Sequence, residues 1–336
     1  MRSSSSFPSA LSTQFRLRVI EASSVGCIAY SHLKEGGEGK VHGVFDDAIN
    51  ILFATGLVSL VPDPVERGPL NVTLKLPAGT HNLSFFEIRA GDKVGVYDST
   101  LKLGDRYLIS FGSAPIYSPR QKFTLPMLAD DAIEANLEFA RKTALLFGNM
   151  SGLGALLALT RSGAGKVKTG NLNIFASAAL PRIVRLEHAF RAEEKSALTD
   201  AIDGLIGLGP GLTPSSDDML AGLVLLCVLY AKNRSGARRA SRLIARVAAE
   251  ETPGKTTILS EEHLRQAASG RGNEPIMRLC TALLTGRQEL VERETKRVLA
   301  IGETSGTDTV LGIVLGVMLC TGRQSGLTKR GNPYDN

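Results

Sequence analysis

Gly207-Leu-Gly-Pro-Gly-Leu-Thr-Pro-Ser-Ser-Asp-Asp218 runs without a break into the apolar stretch Met219 to Tyr230. Glycine at alternate positions 207, 209 and 211 describes a tight backbone loop, and Thr213-Pro214 ends it. Thr213 is a good N-cap, and Pro214 suits the first helical position, where no amide hydrogen is needed. Two hydroxyls, Ser215 and Ser216, and two carboxylates, Asp217 and Asp218, therefore stand at the mouth of a buried helix. That is the construction of a binding site.

The construction recurs downstream in Gly302-Glu-Thr-Ser-Gly-Thr-Asp-Thr-Val-Leu-Gly312, again leading an apolar helix. At one constant offset Ser215, Asp218 and Gly222 fall on Ser305, Asp308 and Gly312. Ser and Asp three apart share one face of a first helical turn, and glycine a turn further on lets another helix approach closely. Helix starts expose unpaired amide hydrogens and partial positive charge, so two that converge form an anion pocket. The acids can then orient a substrate amide or hold Mg²⁺. The bland alternative is that these are ordinary helix caps with packing glycines. A dinucleotide fold is excluded because Leu212 stands at the third glycine position, and a serine hydrolase because Gly-x-Ser-x-Gly is absent.

Upstream, Phe15 to about Phe123 is a series of short β-type runs between turn residues: Leu17 to Ala22, Cys27 to Ser31, Ile51 to Phe53, Leu57 to Val61, Asn71 to Leu76, Lys93 to Tyr97 and Tyr107 to Phe111. A strand end running into a short helix is expected over His42 to Asn50, and His42 and His81 are expected as surface or hydrogen-bonded residues. After Pro126 the period becomes helical, in Leu128 to Phe147, Ala192 to Leu205, Glu261 to Ala268, a helix through Leu284, and Glu289 to Leu299. The fold class is therefore α+β, a small antiparallel β-sandwich or barrel over 15–123 followed by a mainly helical domain over 124–322. Residues 1–14 and 323–336 are expected to be a disordered lead and tail, and the domain boundary falls between Ser118 and Pro126.

Composition restricts the remaining choices. The chain is 43% apolar and 21% charged, as in soluble globular proteins. Its net charge of +6 permits phosphate or nucleic-acid contact without selecting it. Lys232, Arg234, Arg238, Arg239, Arg242 and Arg246 form a basic run, but without interleaved aromatics or a DNA-binding motif a solvated face is expected and nucleic acid is not. Four scattered cysteines without Cys-x-x-Cys read as reduced thiols of a cytoplasmic protein. No apolar run reaches the roughly 20 residues of a membrane span. Ser162-Gly-Ala-Gly-Lys-Val167 fails as a phosphate loop, since Thr160 replaces the leading glycine and Val167 the Ser/Thr that would bind Mg²⁺.

The two glycine-rich motifs, with Thr256-Thr-Ile-Leu-Ser260 between them, resemble the family that includes the AllH-type subunit of oxamate carbamoyltransferase, over most of the chain from about Arg18 to Thr321. Ser216 stands where that family usually has glycine. The resemblance implies a subunit of a heteromeric enzyme interconverting oxalurate plus phosphate with oxamate plus carbamoyl phosphate, in allantoin catabolism and so in purine degradation. Its partners would be other carbamoyltransferase subunits and a small anion such as carbamoyl phosphate or oxamate. On that reading Gly209, Gly211, Thr213, Ser215, Ser216, Thr304, Ser305 and Thr307 bind phosphate or carboxylate, and Asp217, Asp218 and Asp308 are catalytic. Asp218 and Asp308 are the candidate metal ligands, Mg²⁺ the candidate ion, and no cofactor is otherwise called for. The rival reading is a non-catalytic metabolite-binding or scaffolding subunit. Thr328 to Asn336 resembles a short piece of insertion-element transposases and is assigned no activity.

Overall fold

The computed structural model describes residues 17–63, 67–80, 82–119, 126–160, 172–234 and 238–327. The chain divides into two compact units at Tyr117/Ser118. His81, the segment Ser162 to Val167, the lead over 1–14 and residues 328–336 of the expected tail lie outside the described residues; the first part of that tail, 323–327, is described and buries Ser325 and Leu327.

The first unit is a closed barrel. Its strands are β1 (Arg18–Gly26), β2 (Gly37–Val44), β3 (Ile49–Phe53), β4 (Gly56–Pro62), β5 (Asn71–Leu74), β6 (Lys93–Tyr97), β7 (Thr100–Leu103) and β8 (Tyr107–Ser110), with the short β9 (Ile116–Tyr117) beside the end of β1. The ring runs β1-β5-β4-β3-β2-β6-β7-β8 and returns to β1, which removes the exposed strand edges. Most pairs are antiparallel as expected, while β1–β8, β1–β9 and β4–β5 are parallel. Alternation in β6 to β8 sends Val94, Val96, Leu101, Leu103, Tyr107 and Ile109 inward. Phe86 meets the Tyr107 ring edge-on at 4.7 Å.

Two local expectations are corrected. Cys27 to Ser31 is not a strand but the start of helix α1 (Cys27–Glu35), which buries Ala29 and Leu33 four residues apart. Its first amides are anchored by tertiary contact, Ile28 and Ala29 both donating to the Pro69 carbonyl at 3.0 Å. His42 to Asn50 contains no helix: β2 ends at Val44 and a bend leads into β3.

The second unit is helical: α2 (Asp130–Phe147), α3 (Ile174–Ala192), α4 (Lys195–Asp203), α5 (Ser215–Asn233), α6 (Arg238–Glu251), α7 (Ile258–Ala268), α8 (Glu274–Thr285), α9 (Gln288–Leu299) and α10 (Ser305–Cys320). The expected helix over Ala192 to Leu205 is two elements, since α3 stops at Ala192, Glu193 turns left-handed at φ 53, and α4 begins at Lys195. α3 itself keeps Ala176, Ala179, Ile183, Leu186 and Phe190 buried at helical spacing despite the interior Pro181.

The apolar α5 and α10 are buried nearly all round and pack on each other at the centre, as such helices must. Glycine sets their distance: a Cβ on Gly312 would lie 1.9 Å from the Met219 carbonyl oxygen, and one on Gly222 2.4 Å from that of Thr309. α6 turns its cations outward, where Arg239 pairs with Glu193 at 3.0 Å and Arg246 with Glu250. No helix among the described residues is long and apolar enough to cross a membrane.

Candidate functional site

The glycine loop folds back over the start of α5. Gly207, Gly209 and Gly211 take φ of 77, 131 and 93, a region that L side chains avoid. A Cβ on Gly209 would lie 2.5 Å from the Ser215 amide nitrogen, so only glycine lets this loop lie on the first turn of the helix. Pro214, not Thr213, occupies the cap position, and α5 starts at Ser215. Thr213 is drawn away from capping: its hydroxyl meets Ser305 Oγ at 3.0 Å, joining the two helix starts directly.

The two adjacent acids do different things. Asp217 Oδ1 accepts from the Gly207 amide at 2.8 Å and Oδ2 accepts from the Thr256 hydroxyl, so both oxygens serve the loop. Thr257 donates to the Leu212 carbonyl and caps α7 through the Ser260 amide at 3.2 Å. Ser216 also turns inward, its hydroxyl accepting from the Leu208 amide at 3.0 Å beside the Leu205 and Leu208 carbonyls. Asp218 instead faces the start of α10, close enough to feel the charge of Asp308.

On α10 the Asp308 side chain is fully buried, and Oδ1 accepts from the Leu153 amide at 2.6 Å. Thr307 Oγ1 accepts from the Asn149 amide at 2.9 Å. Thr304 holds the cap position, its carbonyl accepting from the Asp308 amide at 2.9 Å. A Cβ on Gly152 would sit 2.4 Å from Asp308 Oδ2 and 2.9 Å from Ser215 Oγ, so the 148–154 loop closes on both motifs at once. Of the expected residues, Thr213, Ser215, Asp218, Ser305 and Asp308 converge. Gly209, Ser216, Asp217 and Thr307 shape the loops around them, and Gly211 is exposed with open space around it. The sequence reading missed Asn149, Gly152, Leu153 and Asn173; the spaced glycines Gly148, Gly152 and Gly154 were the available signal.

Burial dominates the electrostatics. It pushes the Asp218 carboxyl well above the usual range, opposed by the Ser305 and Thr213 hydroxyls and aided by the negative charge of Asp308 and Asp217. Burial raises Asp308 to about 6, against the nearby Ser215 hydroxyl and the Leu153 amide. Asp217 is raised too, by burial, and held down by Thr256 and the Gly207 amide. Among the described residues Ser215 Oγ, Asp218 Oδ2 and Asp308 Oδ2 are buried without a hydrogen-bond partner, although Ser215 lies near enough to Asp308 to lower its pKa. Among those residues, too, no group of three His, Cys, Asp or Glu side chains gathers, and the site's carboxylates are Asp218 and Asp308 with Asp217 beside them.

No solved structure matches the chain. Two family models do: residues 20–116 match the AllH family N-terminal domain, which covers the barrel, and residues 205–317 match the oxamate carbamoyltransferase subunit AllH, which covers both glycine-rich motifs and the helices between them. The chain thus belongs to the AllH family of oxamate carbamoyltransferase subunits.

Proposed function

We propose that this chain is a working subunit of a carbamoyltransferase that interconverts oxalurate plus phosphate with oxamate plus carbamoyl phosphate, and that the first turns of α5 and α10 form its anion and carbamoyl site. One observation supports this above the rest: three polar atoms, Ser215 Oγ, Asp218 Oδ2 and Asp308 Oδ2, are buried without partners where the two helix starts meet. Each such atom costs about 1–3 kcal/mol, and a ligand that pairs with them is the reason to keep them.

Most first-turn amides already donate to backbone carbonyls, so it is the positive ends of the two helices, with the hydroxyls of Thr213, Ser305 and Thr304, that suit a phosphate or carboxylate. In the carbamoylating direction the oxamate nitrogen attacks the carbamoyl carbon. The new C–N bond forms, the C–O bond to phosphate breaks with its electron pair leaving on phosphate, and the nitrogen gives its proton to Asp308. A carboxylate whose pKa is near 6 is matched to that task at neutral pH. Asp218, whose carboxyl burial pushes well above the usual range, donates a hydrogen bond to the oxyanion in its protonated form. Asp217 acts through the loop it holds. Other carbamoyltransferase subunits are the partners, the cytoplasm the setting and allantoin breakdown the pathway.

The test is turnover of the complex reconstituted with its partner subunits, beside thermal-shift titration with carbamoyl phosphate, oxamate and phosphate, with and without Mg²⁺. Stabilisation by these ligands and loss of turnover in Asp308→Asn are expected. Wild-type rates in both Asp218→Asn and Asp308→Asn would refute the site, and ligand binding without turnover in any complex would make the chain a metabolite-binding subunit.

A further inference from the structure

The loop from Gly148 to Leu153 reaches α10 at two points, the Asn149 amide on Thr307 and the Leu153 amide on Asp308. On its other side stands one carboxamide. Asn173 Nδ2 faces the carbonyls of Met150, Ser151 and Gly152 at 3.3, 2.9 and 2.6 Å, while Oδ1 accepts from the Ala176 amide at 2.8 Å and so caps α3.

The shortest of these contacts decides the direction of a single peptide plane. The carbonyl of Gly152 and the amide hydrogen of Leu153 belong to the same planar trans unit and point opposite ways. With the carbonyl drawn toward Asn173, the amide hydrogen is aimed at Asp308 Oδ1. Capping alone does not call for asparagine, since Ser, Thr or Asp caps a helix as well. Only the amide hydrogens account for the three carbonyls.

We propose that Asn173 is a positioning residue for Asp308, acting through the Gly152–Leu153 peptide to hold a hydrogen-bond donor on the carboxylate. The inference rests on the reading of Asp308 as the proton acceptor. The 148–154 loop carries no charged side chain, and among the described residues the titratable group that feels the charge of Asp308 is Asp218 on α5, with Asp217 next to it.

Asn173→Ser keeps an acceptor to cap α3 and removes the amide donors. It is compared with wild type, both also in an Asp218→Asn background. The carboxyl of Asp308 is titrated by carbon-13 NMR in the isolated chain and identified by its loss in Asp308→Asn. The pH–rate profile is followed in the reconstituted complex. The Asp308 titration and the acidic limb of the profile should both move up by about one unit, as loss of one hydrogen bond to a charged acceptor predicts. An unmoved titration, or a uniform fall in rate with an unmoved profile, overturns the proposal. A shifted titration together with full turnover in Asp308→Asn would uphold the positioning and refute the catalytic reading of Asp308 instead.

Discussion

Replacing Asp308 by Asn is expected to make the protein more stable at neutral pH while removing its activity. The carboxyl is fully buried and burial carries its pKa from 3.8 to about 6. Between those values the folded chain holds a proton that the unfolded chain has released, so stability falls as pH rises through this window and stays low above it. At 1.36 kcal/mol per unit the loss is about 3 kcal/mol. Asn avoids it with little change of shape: its oxygen can still accept from Leu153, and its amide group faces Ser215 Oγ, which can accept. The assay is urea unfolding followed by far-ultraviolet circular dichroism, which reads mainly the helical unit in a chain that has no tryptophan. The variant should exceed wild type by up to about 3 kcal/mol near pH 7.5, with the gap closing toward pH 4. A variant no more stable than wild type at neutral pH, or an unchanged gap at the two pH values, would falsify the argument that an uncompensated buried charge sits there.

Other consequences follow from single contacts. Gly312→Ala places a methyl group 1.9 Å from a backbone oxygen of α5, so the central helices must part, and thermal melting should show a loss of about 3 kcal/mol. Thr256→Val leaves Asp217 Oδ2 without its donor; the cost should be about 1–3 kcal/mol in urea unfolding and larger near pH 8 than near pH 4, because the lost bond favours the charged form. Ser325→Ala removes the hydroxyl that Glu187, nearly fully buried on α3, accepts from, and should destabilise by a similar amount, again more at high pH.

The sequence carried the paired motifs and the fold class because each rests on local pattern. α5 and α10 begin at the equivalent residues Ser215 and Ser305, and alternation in the strands of the barrel is visible one strand at a time. What escaped depends on residues distant in the chain. α1 reads as a strand until Leu33 is included with Ala29, and its first turn is secured by the Pro69 carbonyl. Thr213 reads as a cap, yet its partner is Ser305, from the other motif. Asp217 and Asp218 are indistinguishable as neighbours in sequence, and only the arrival of Thr256 on one of them separates their roles. The 148–154 loop showed spaced glycines but not the acid that its Leu153 amide would meet.

The offset that relates the two motifs also relates their contacts. It carries Met219 to Thr309 and Gly222 to Gly312, and the crossing consists of Gly222 on Thr309 and Gly312 on Met219, each contact the image of the other. The chain thus makes within itself the isologous contact of a two-fold dimer. Equivalent positions then have equivalent duties. Asp217 corresponds to Thr307, and each ties down a loop, one through Gly207 and Thr256, the other through Asn149. Asp218 corresponds to Asp308, and each keeps a buried oxygen without a partner. On the proposed mechanism the second pair carries the chemistry and the first the architecture. Asp217→Asn, which can still accept from Gly207 and donate to the Thr256 oxygen, should keep turnover within about tenfold, whereas Asp218→Asn and Asp308→Asn should lose a factor of about 10² or more. Rates in the reconstituted complex decide it: equal losses at 217 and 218 would break the correspondence, and with it the assignment of the reacting acids.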